Sequence, residues 1–218
     1  MRGIHLVIFD LDGTLVDSLA DLAYAVNTTL ENHGWPCRDL HEIKSMVGDG
    51  LIPLVKRAVP RETLTRPDLM EEVLAEASSL YADHSVDSTV PYPDIERLLE
   101  ELAERSISCA VLSNKAHEFT SHIVERLFPK HSFAAIQGEI PGVPKKPHPK
   151  AAMLIAEKLG VLPESCILVG DSPHDMAAAR AAGMSAIGAG WGYRSFGELF
   201  SGGAQFVLSA PLDILGFI

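Results

Sequence analysis

Cysteine is scarce in this chain of 218 residues, and so is positive charge. The three cysteines, Cys37, Cys109 and Cys166, form no CxxC pair, which argues against a structural zinc site. Cys109 and Cys166 fall inside apolar runs that read as strands. They are expected as small buried hydrophobes in a reducing compartment. No run reaches the roughly 18 apolar residues that a membrane span requires. The apolar stretch Ile4 to Phe9 is short and is followed by Asp10 and Asp12, so it does not read as a secretory signal; a cytoplasmic protein is the expectation. Lysine and arginine number 18 against 29 aspartates and glutamates, a formal net charge of -11. Such a balance repels nucleic acid and anionic membranes, so neither is expected as a partner. It also repels an anionic substrate at long range, so any phosphate site needs a local positive centre. Internal repeats and low-complexity segments are absent.

What is present suits a globular protein: 47% hydrophobic and 22% charged residues. The length allows one large domain, or a core with a smaller inserted domain, as a monomer or homodimer. Ile4 to Phe9 reads as a buried strand ending at Asp10, and His5 is expected to pack at the sheet. From Ser18, a plausible N-cap, to about residue 86 the pattern is helical throughout, with Leu19, Leu22, Ala23, Val26 and Leu30 at helical spacing. Shorter helices are expected from Asp39, from Gly50 and from Pro67. After Pro91 strands alternate with helices: strands at 107–112, 133–136, 166–169 and 184–187, helices at 94–105, 116–127, 150–159 and 173–182. This alternation predicts an α/β fold: a Rossmann-like parallel sheet with helices on both faces. The helical stretch interrupts the sheet after its first strand. The expected organisation is therefore a catalytic core of residues 1–15 and 91–218 with an all-helical insertion at 16–90.

In a parallel sheet, ligands bind beyond the carboxyl ends of the strands. Polar groups gather there. Strand one ends in Asp10-Leu11-Asp12-Gly13-Thr14, and the strand at 107–112 in Ser113-Asn114-Lys115. Lys145-Lys146-Pro147-His148-Pro149 precedes a helix, and the strand at 166–169 ends in Gly170-Asp171-Ser172-Pro173-His174-Asp175. Asp10, Asp12 and Asp171 would crowd together, and three close carboxylates need a cation between them. Hard oxygen ligands at an incomplete site suit Mg²⁺, which also supplies the missing positive charge. Of the neighbouring lysines, the Lys-Pro-x-Pro pattern favours Lys146, and Lys145 is read as a surface residue. His174 reads as helix-start filler. Gly188 to Gly192 is not followed by the helix that a dinucleotide loop requires.

Asp10 to Ser18, Ser113, Lys146 and Gly170 to Asp175 resemble, in order, the four motifs of the haloacid dehalogenase superfamily, and the resemblance spans essentially the whole chain, with the helical insertion as the family's cap. It implies a phosphatase acting on a small phosphate ester through an aspartyl-phosphate. Asp10 would be the nucleophile and Asp12 the general acid, then base. Asp10, the Asp12 backbone carbonyl and Asp171 would bind Mg²⁺, with Asp175 as a further metal-shell residue or a partner for Lys146. Ser113 and Asn114 would hold phosphate oxygens, and Lys146 would neutralise them. Asp12 argues against dehalogenase chemistry, whose enzymes lack it. Met46-Val47-Gly48-Asp49-Gly50 and Gly190-Trp191-Gly192-Tyr193-Arg194 resemble the phosphoglycolate phosphatase branch. That suggests 2-phosphoglycolate as substrate, with Gly48 and Gly50 offering backbone N–H groups to its carboxylate, Asp49 turned away, and Arg57 either assisting or serving as an ordinary salt-bridge partner. A sugar-phosphate phosphatase or mutase of the same superfamily, and a catalytically silent binding protein on the same fold, remain the alternatives.

Overall fold

The computed structural model describes residues 3–218. It divides into two compact units, residues 3–17 with 91–218, and residues 18–90. The chain opens with β1 (Leu6–Phe9) and the two-residue β2 (Val16–Asp17). The second unit holds α1 (Leu19–Asn32), α2 (Leu40–Met46), α3 (Leu51–Ala58) and α4 (Pro67–His84). After β3 (Val90–Pro91) come α5 (Ile95–Glu104), β4 (Ser108–Ala116), α6 (His117–Leu127), β5 (Ala135–Glu139) and α7 (Lys150–Lys158). The chain closes with β6 (Cys166–Gly170), α8 (Pro173–Ala181), β7 (Ser185–Ala189), α9 (Phe196–Gly202), β8 (Phe206–Leu208) and a 3-10 turn at Pro211–Phe217.

Six strands form one parallel sheet in the order β5-β4-β1-β6-β7-β8. The α/β architecture is the expected one. Alternate residues of β1 are buried alike, Leu6 and Ile8 as well as Val7 and Phe9, so both faces of the sheet are covered. On one face Leu6, Ile8, Leu112 and Leu168 pack against Ala152 and Ile155 of α7 and Met176 and Ala179 of α8. The chain runs outward one way from β1 through β4 to β5, then returns to the opposite side of β1 as β6. This reversal at β1 is the crevice where an open α/β sheet binds its ligand. Phe9 is in register with both Val111 and Val169, so three strands deliver their next residues to one edge.

Several boundaries differ from the expectation. The first strand starts at Leu6, and His5 is exposed instead of packed; its backbone bonds Ser165 and Ser108 while its ring faces outward. β4 runs on through the polar Ser113-Asn114-Lys115 to Ala116, where pairing with β5 resumes at Glu139 after a shift of register beyond Leu112. The periodicity gave no indication of α9 and β8.

In the helical unit, Val26, Thr29 and Leu30 of α1 and Val73, Ala77 and Tyr81 of α4 are buried. Ser18 sits at the N-cap of α1, but its side chain makes no capping hydrogen bond. Asp39 does cap α2, in a reciprocal box with Glu42. The helix from Pro67 is the longest of this unit, at 18 residues. Buried Asp21 accepts hydrogen bonds from Ser88 N (2.9 Å), Thr89 N (2.8 Å) and Thr89 Oγ1 (2.6 Å), tying the start of the unit to its end. Gly48 and Gly50 have positive φ, 135° and 94°, on either side of Asp49. Arg57 is committed locally: it pairs with Asp49 and donates to the Met46 carbonyl at 2.7 Å. The carboxylate of Asp49 is thus turned to Arg57.

Candidate active site

Asp10 follows β1 directly, with its backbone N–H bonded to the Val169 carbonyl at 2.9 Å. Its Oδ1 accepts from Leu11 N–H at 2.7 Å and from Lys146 Nζ at 2.8 Å, and these two bonds fix the carboxylate's orientation. Burial first, then the charge of Asp175, push the Asp10 carboxyl up to about 7 against the pull of Lys146. Gly13 turns the chain back with φ 77°, a conformation that a side chain resists, and a Cβ there would collide with the Asp171 carboxylate.

Asp171 follows β6. Its Oδ2 accepts from Tyr193 N–H at 2.7 Å. Burial, Asp10 and Asp175 hold its carboxyl well above the usual range. Asp175 lies one turn along, on α8, and is fully buried. One of its oxygens bonds Lys146 Nζ at 2.6 Å, and the other accepts from Ser172 Oγ at 2.6 Å and Ser172 N at 3.1 Å. Lys146 is thus enclosed by Asp10, Asp175 and the Leu112 carbonyl at 2.8 Å. Burial alone would lower its ammonium, but Asp10 and Asp175 outweigh that and hold it above its ordinary value. Lys145, by contrast, turns outward to Glu139 at 3.3 Å.

From β4, Ser113 is buried, and its Oγ accepts from Lys115 N at 3.3 Å. The Asn114 side chain donates to the Lys146 carbonyl at 2.9 Å, joining the motif to the lysine loop. Asp12 stands apart from the other carboxylates: its Oδ1 meets Lys115 Nζ at 2.9 Å. The structure therefore brings Asp10, Asp12, Ser113, Asn114, Lys146, Asp171 and Asp175 to one sheet edge. Gly48 and Gly50 belong to the other unit.

Two contributors carry no site role in the sequence reading: Lys115, and the segment Gly190 to Tyr193, read there only as a branch resemblance. Lys115 was visible only as a neighbour of Asn114, and nothing in its spacing says which carboxylate, a hundred residues earlier, it will meet. The segment Gly190 to Tyr193 backs the site: Trp191 Nε1 donates to the Thr14 carbonyl at 2.9 Å, and Tyr193 N–H holds Asp171. Its signal was Gly192, where a Cβ would strike the Gly13 carbonyl and Asp171. Gly190 serves a different close approach, to Phe196 and the Leu208 carbonyl.

Asp10, Asp171 and Asp175 each offer an oxygen within 4.8 Å of the others. Burial and neighbouring negative charge raise Asp10 and Asp171, and two lysines do not balance the four acids of the site. The donor set is all hard oxygen. These residues fit a divalent metal ion, with the Asp12 side chain on Lys115 outside the cluster.

Residues 7–189 match the family model described as haloacid dehalogenase-like hydrolase. The phosphoglycolate phosphatase of Chromobacterium violaceum is 38% identical over 216 residues, covering 98% of this chain and 96% of that one. That of Aliivibrio fischeri is 33% identical over 216 residues, covering 97% and 95%. The crystal structure of a predicted phosphoglycolate phosphatase from Haemophilus somnus superimposes with a TM-score of 0.90 at 28% identity, covering 99% and 98%. A β-phosphoglucomutase from Clostridium difficile, 21% identical with a TM-score of 0.78 over 97% and 93% of the two chains, shares the fold alone. The matched span takes in every strand-end motif of the sheet edge that gathers the acids and lysines, and on that ground the chain belongs to the haloacid dehalogenase-like hydrolases.

Proposed function

We propose that the protein is a Mg²⁺-dependent phosphatase that hydrolyses 2-phosphoglycolate to glycolate and inorganic phosphate. The observation that carries this reading is the division of labour between two aspartates at one strand end. Asp10 is held by Leu11 N–H and Lys146, while Asp12 is held separately by Lys115. An oriented carboxylate suits nucleophilic attack, and a second acid two residues on suits proton transfer. The names of the relatives supply the substrate.

In the first step an Asp10 oxygen attacks phosphorus, and the phosphorus–oxygen bond to glycolate breaks. Asp12 gives its proton to the departing oxygen. In the second step Asp12 takes a proton from water, the oxygen of that water attacks the same phosphorus, and the bond to Asp10 breaks, releasing phosphate and restoring Asp10 as the carboxylate and Asp12 as the acid. Ser113 and the Asn114 backbone hold the non-bridging oxygens in line, and Lys146 offsets charge on Asp10 and Asp175. Mg²⁺, held by Asp10, the Asp12 carbonyl and Asp171 with Asp175 behind them, would reduce repulsion between the nucleophile and the phosphate dianion. Gly48 and Gly50, just before α3, are proposed to turn backbone N–H groups to the substrate carboxylate.

The test compares 2-phosphoglycolate with ethyl phosphate, an uncharged-tail ester of similar size, in the presence of Mg²⁺. The parent is expected to favour phosphoglycolate in kcat/KM. Asp10→Asn should lose at least about a thousandfold in kcat on both esters while keeping its fold by circular dichroism. Near-parental turnover in Asp10→Asn would remove the covalent route. Equal kcat/KM for the two esters in the parent would remove the substrate.

A further inference from the structure

The substrate proposed above carries two anionic groups, and Lys146 has no donor for the second. Its Nζ already lies 2.8 Å from Asp10, 2.6 Å from Asp175 and 2.8 Å from the Leu112 carbonyl. An ammonium has three N–H donors, so these three acceptors saturate it. Among the described residues the other buried lysine is Lys115, 5% exposed. It comes from β4 two residues after Ser113, in the stretch between Leu112 and Ala116 where the register with β5 shifts. Its backbone N–H meets Ser113 Oγ, and its ammonium meets Asp12 Oδ1 at 2.9 Å.

That position lies on the leaving-group side of the reaction. Asp12 must reach the bridging oxygen to protonate it. In 2-phosphoglycolate a single methylene separates that oxygen from the carboxylate, so the carboxylate oxygens lie about 3 Å from it by ordinary bond lengths. A cation bonded to Asp12 is therefore one hydrogen-bond step from the carboxylate. We propose that Lys115 is a specificity-determining residue that binds the substrate carboxylate, a role that rests on the phosphoglycolate reading. A lysine suits it because its ammonium is a point charge whose rotatable donors serve oxygens from more than one direction. It holds Asp12 in the free enzyme and takes the carboxylate when substrate enters. Substrates that end in a hydroxyl or methyl in place of the carboxylate forgo that contact.

The experiment measures one ratio, kcat/KM for 2-phosphoglycolate over kcat/KM for ethyl phosphate, in the full-length Mg²⁺-supplied parent and in Lys115→Met and Lys115→Arg. Loss of a charge-assisted hydrogen bond predicts that the ratio falls roughly 10- to 100-fold in Lys115→Met, mainly through KM for phosphoglycolate. Lys115→Arg, which keeps the charge, should recover part of it. Lys115→Gln, polar and close in length, gives the same reading if the Met variant does not fold. A ratio unchanged in Lys115→Met, in a parent that favours phosphoglycolate, overturns the proposal alone; both esters then falling together in kcat would make Lys115 only a support for Asp12. A parent with no preference removes the phosphoglycolate reading, and the proposal with it. Arg194, whose charge acts on Asp171, is the rival cation. If Arg194→Met collapses the ratio and Lys115→Met does not, the carboxylate contact belongs to Arg194.

Discussion

Burial and the charge of Asp175 push the Asp10 carboxyl up to about 7, and Asp171 is raised beside it. Below pH 7 the metal-free protein therefore keeps a proton where the proposed metal ion would bind, and the ion would have to displace it. The sign follows: Mg²⁺ affinity should rise with pH, by about tenfold per unit below 7 if one proton is released and more steeply if Asp171 releases a second, then level off above about pH 8. Calorimetric titration of Mg²⁺ between pH 5.5 and 8.5, in buffers of different ionisation enthalpy, counts the protons directly. An affinity that stays flat across that range, with no proton release, contradicts the assignment of Asp10 as a ligand. The acids of the site were legible residue by residue, because aspartates at strand ends of a parallel sheet have few structural reasons to be there. The lysine partners were not. Lys146 could be picked out by its prolines, whereas Lys115 is identified only by the contact it makes.

At the scale of elements, the clasp of Asp21 on Ser88 and Thr89 joins residues 67 and 68 positions apart. Asp21→Ala would leave the buried Thr89 N–H and hydroxyl, and the Ser88 N–H, without their acceptor. It should destabilise the helical unit by about 2–4 kcal/mol. The chain has two tryptophans, one in each unit, so Trp35 fluorescence in a Trp191→Phe background follows the helical unit by itself during urea unfolding. A shift in midpoint below that of about 0.5 kcal/mol would show that the clasp is dispensable. Legibility also changes at this scale. β1 and β6 stood out because strands buried on both faces are continuous apolar runs. The end of β4 did not, since Ser113, Asn114 and Lys115 look like a loop, and the strand reaches Ala116 only across a shift of register with β5. Catalytic polarity overrode the hydrophobic signal at the very place where the sheet carries its chemistry. α9 and β8 were missed for another reason: Phe196, Phe200 and Phe206 are more than 40% exposed, so no clean buried face marks them.

In the molecule as a whole, each unit closes its own chain. Asp21 does so for residues 18–90; in the core, Tyr92 N–H donates to the Leu15 carbonyl at 3.0 Å. The core's two chain segments thus meet within a hydrogen bond of each other on their own account. Bringing distant chain positions together costs configurational entropy that grows slowly with the length between them. Here neither unit relies on the other to meet that cost. If residues 18–90 are replaced by a short glycine-serine linker, the remaining chain should fold, keep the six-stranded sheet, and bind Mg²⁺ with proton release. It should turn over slowly and retain a reduced preference for phosphoglycolate over ethyl phosphate, because Lys115 stays behind while Gly48 and Gly50 leave. Complete loss of the preference in a folded, metal-binding variant would place carboxylate recognition wholly in the glycine loop. A chain built this way can exchange one insertion for another without reopening the sheet, so the choice of substrate and the chemistry of phosphoryl transfer are free to change at different rates.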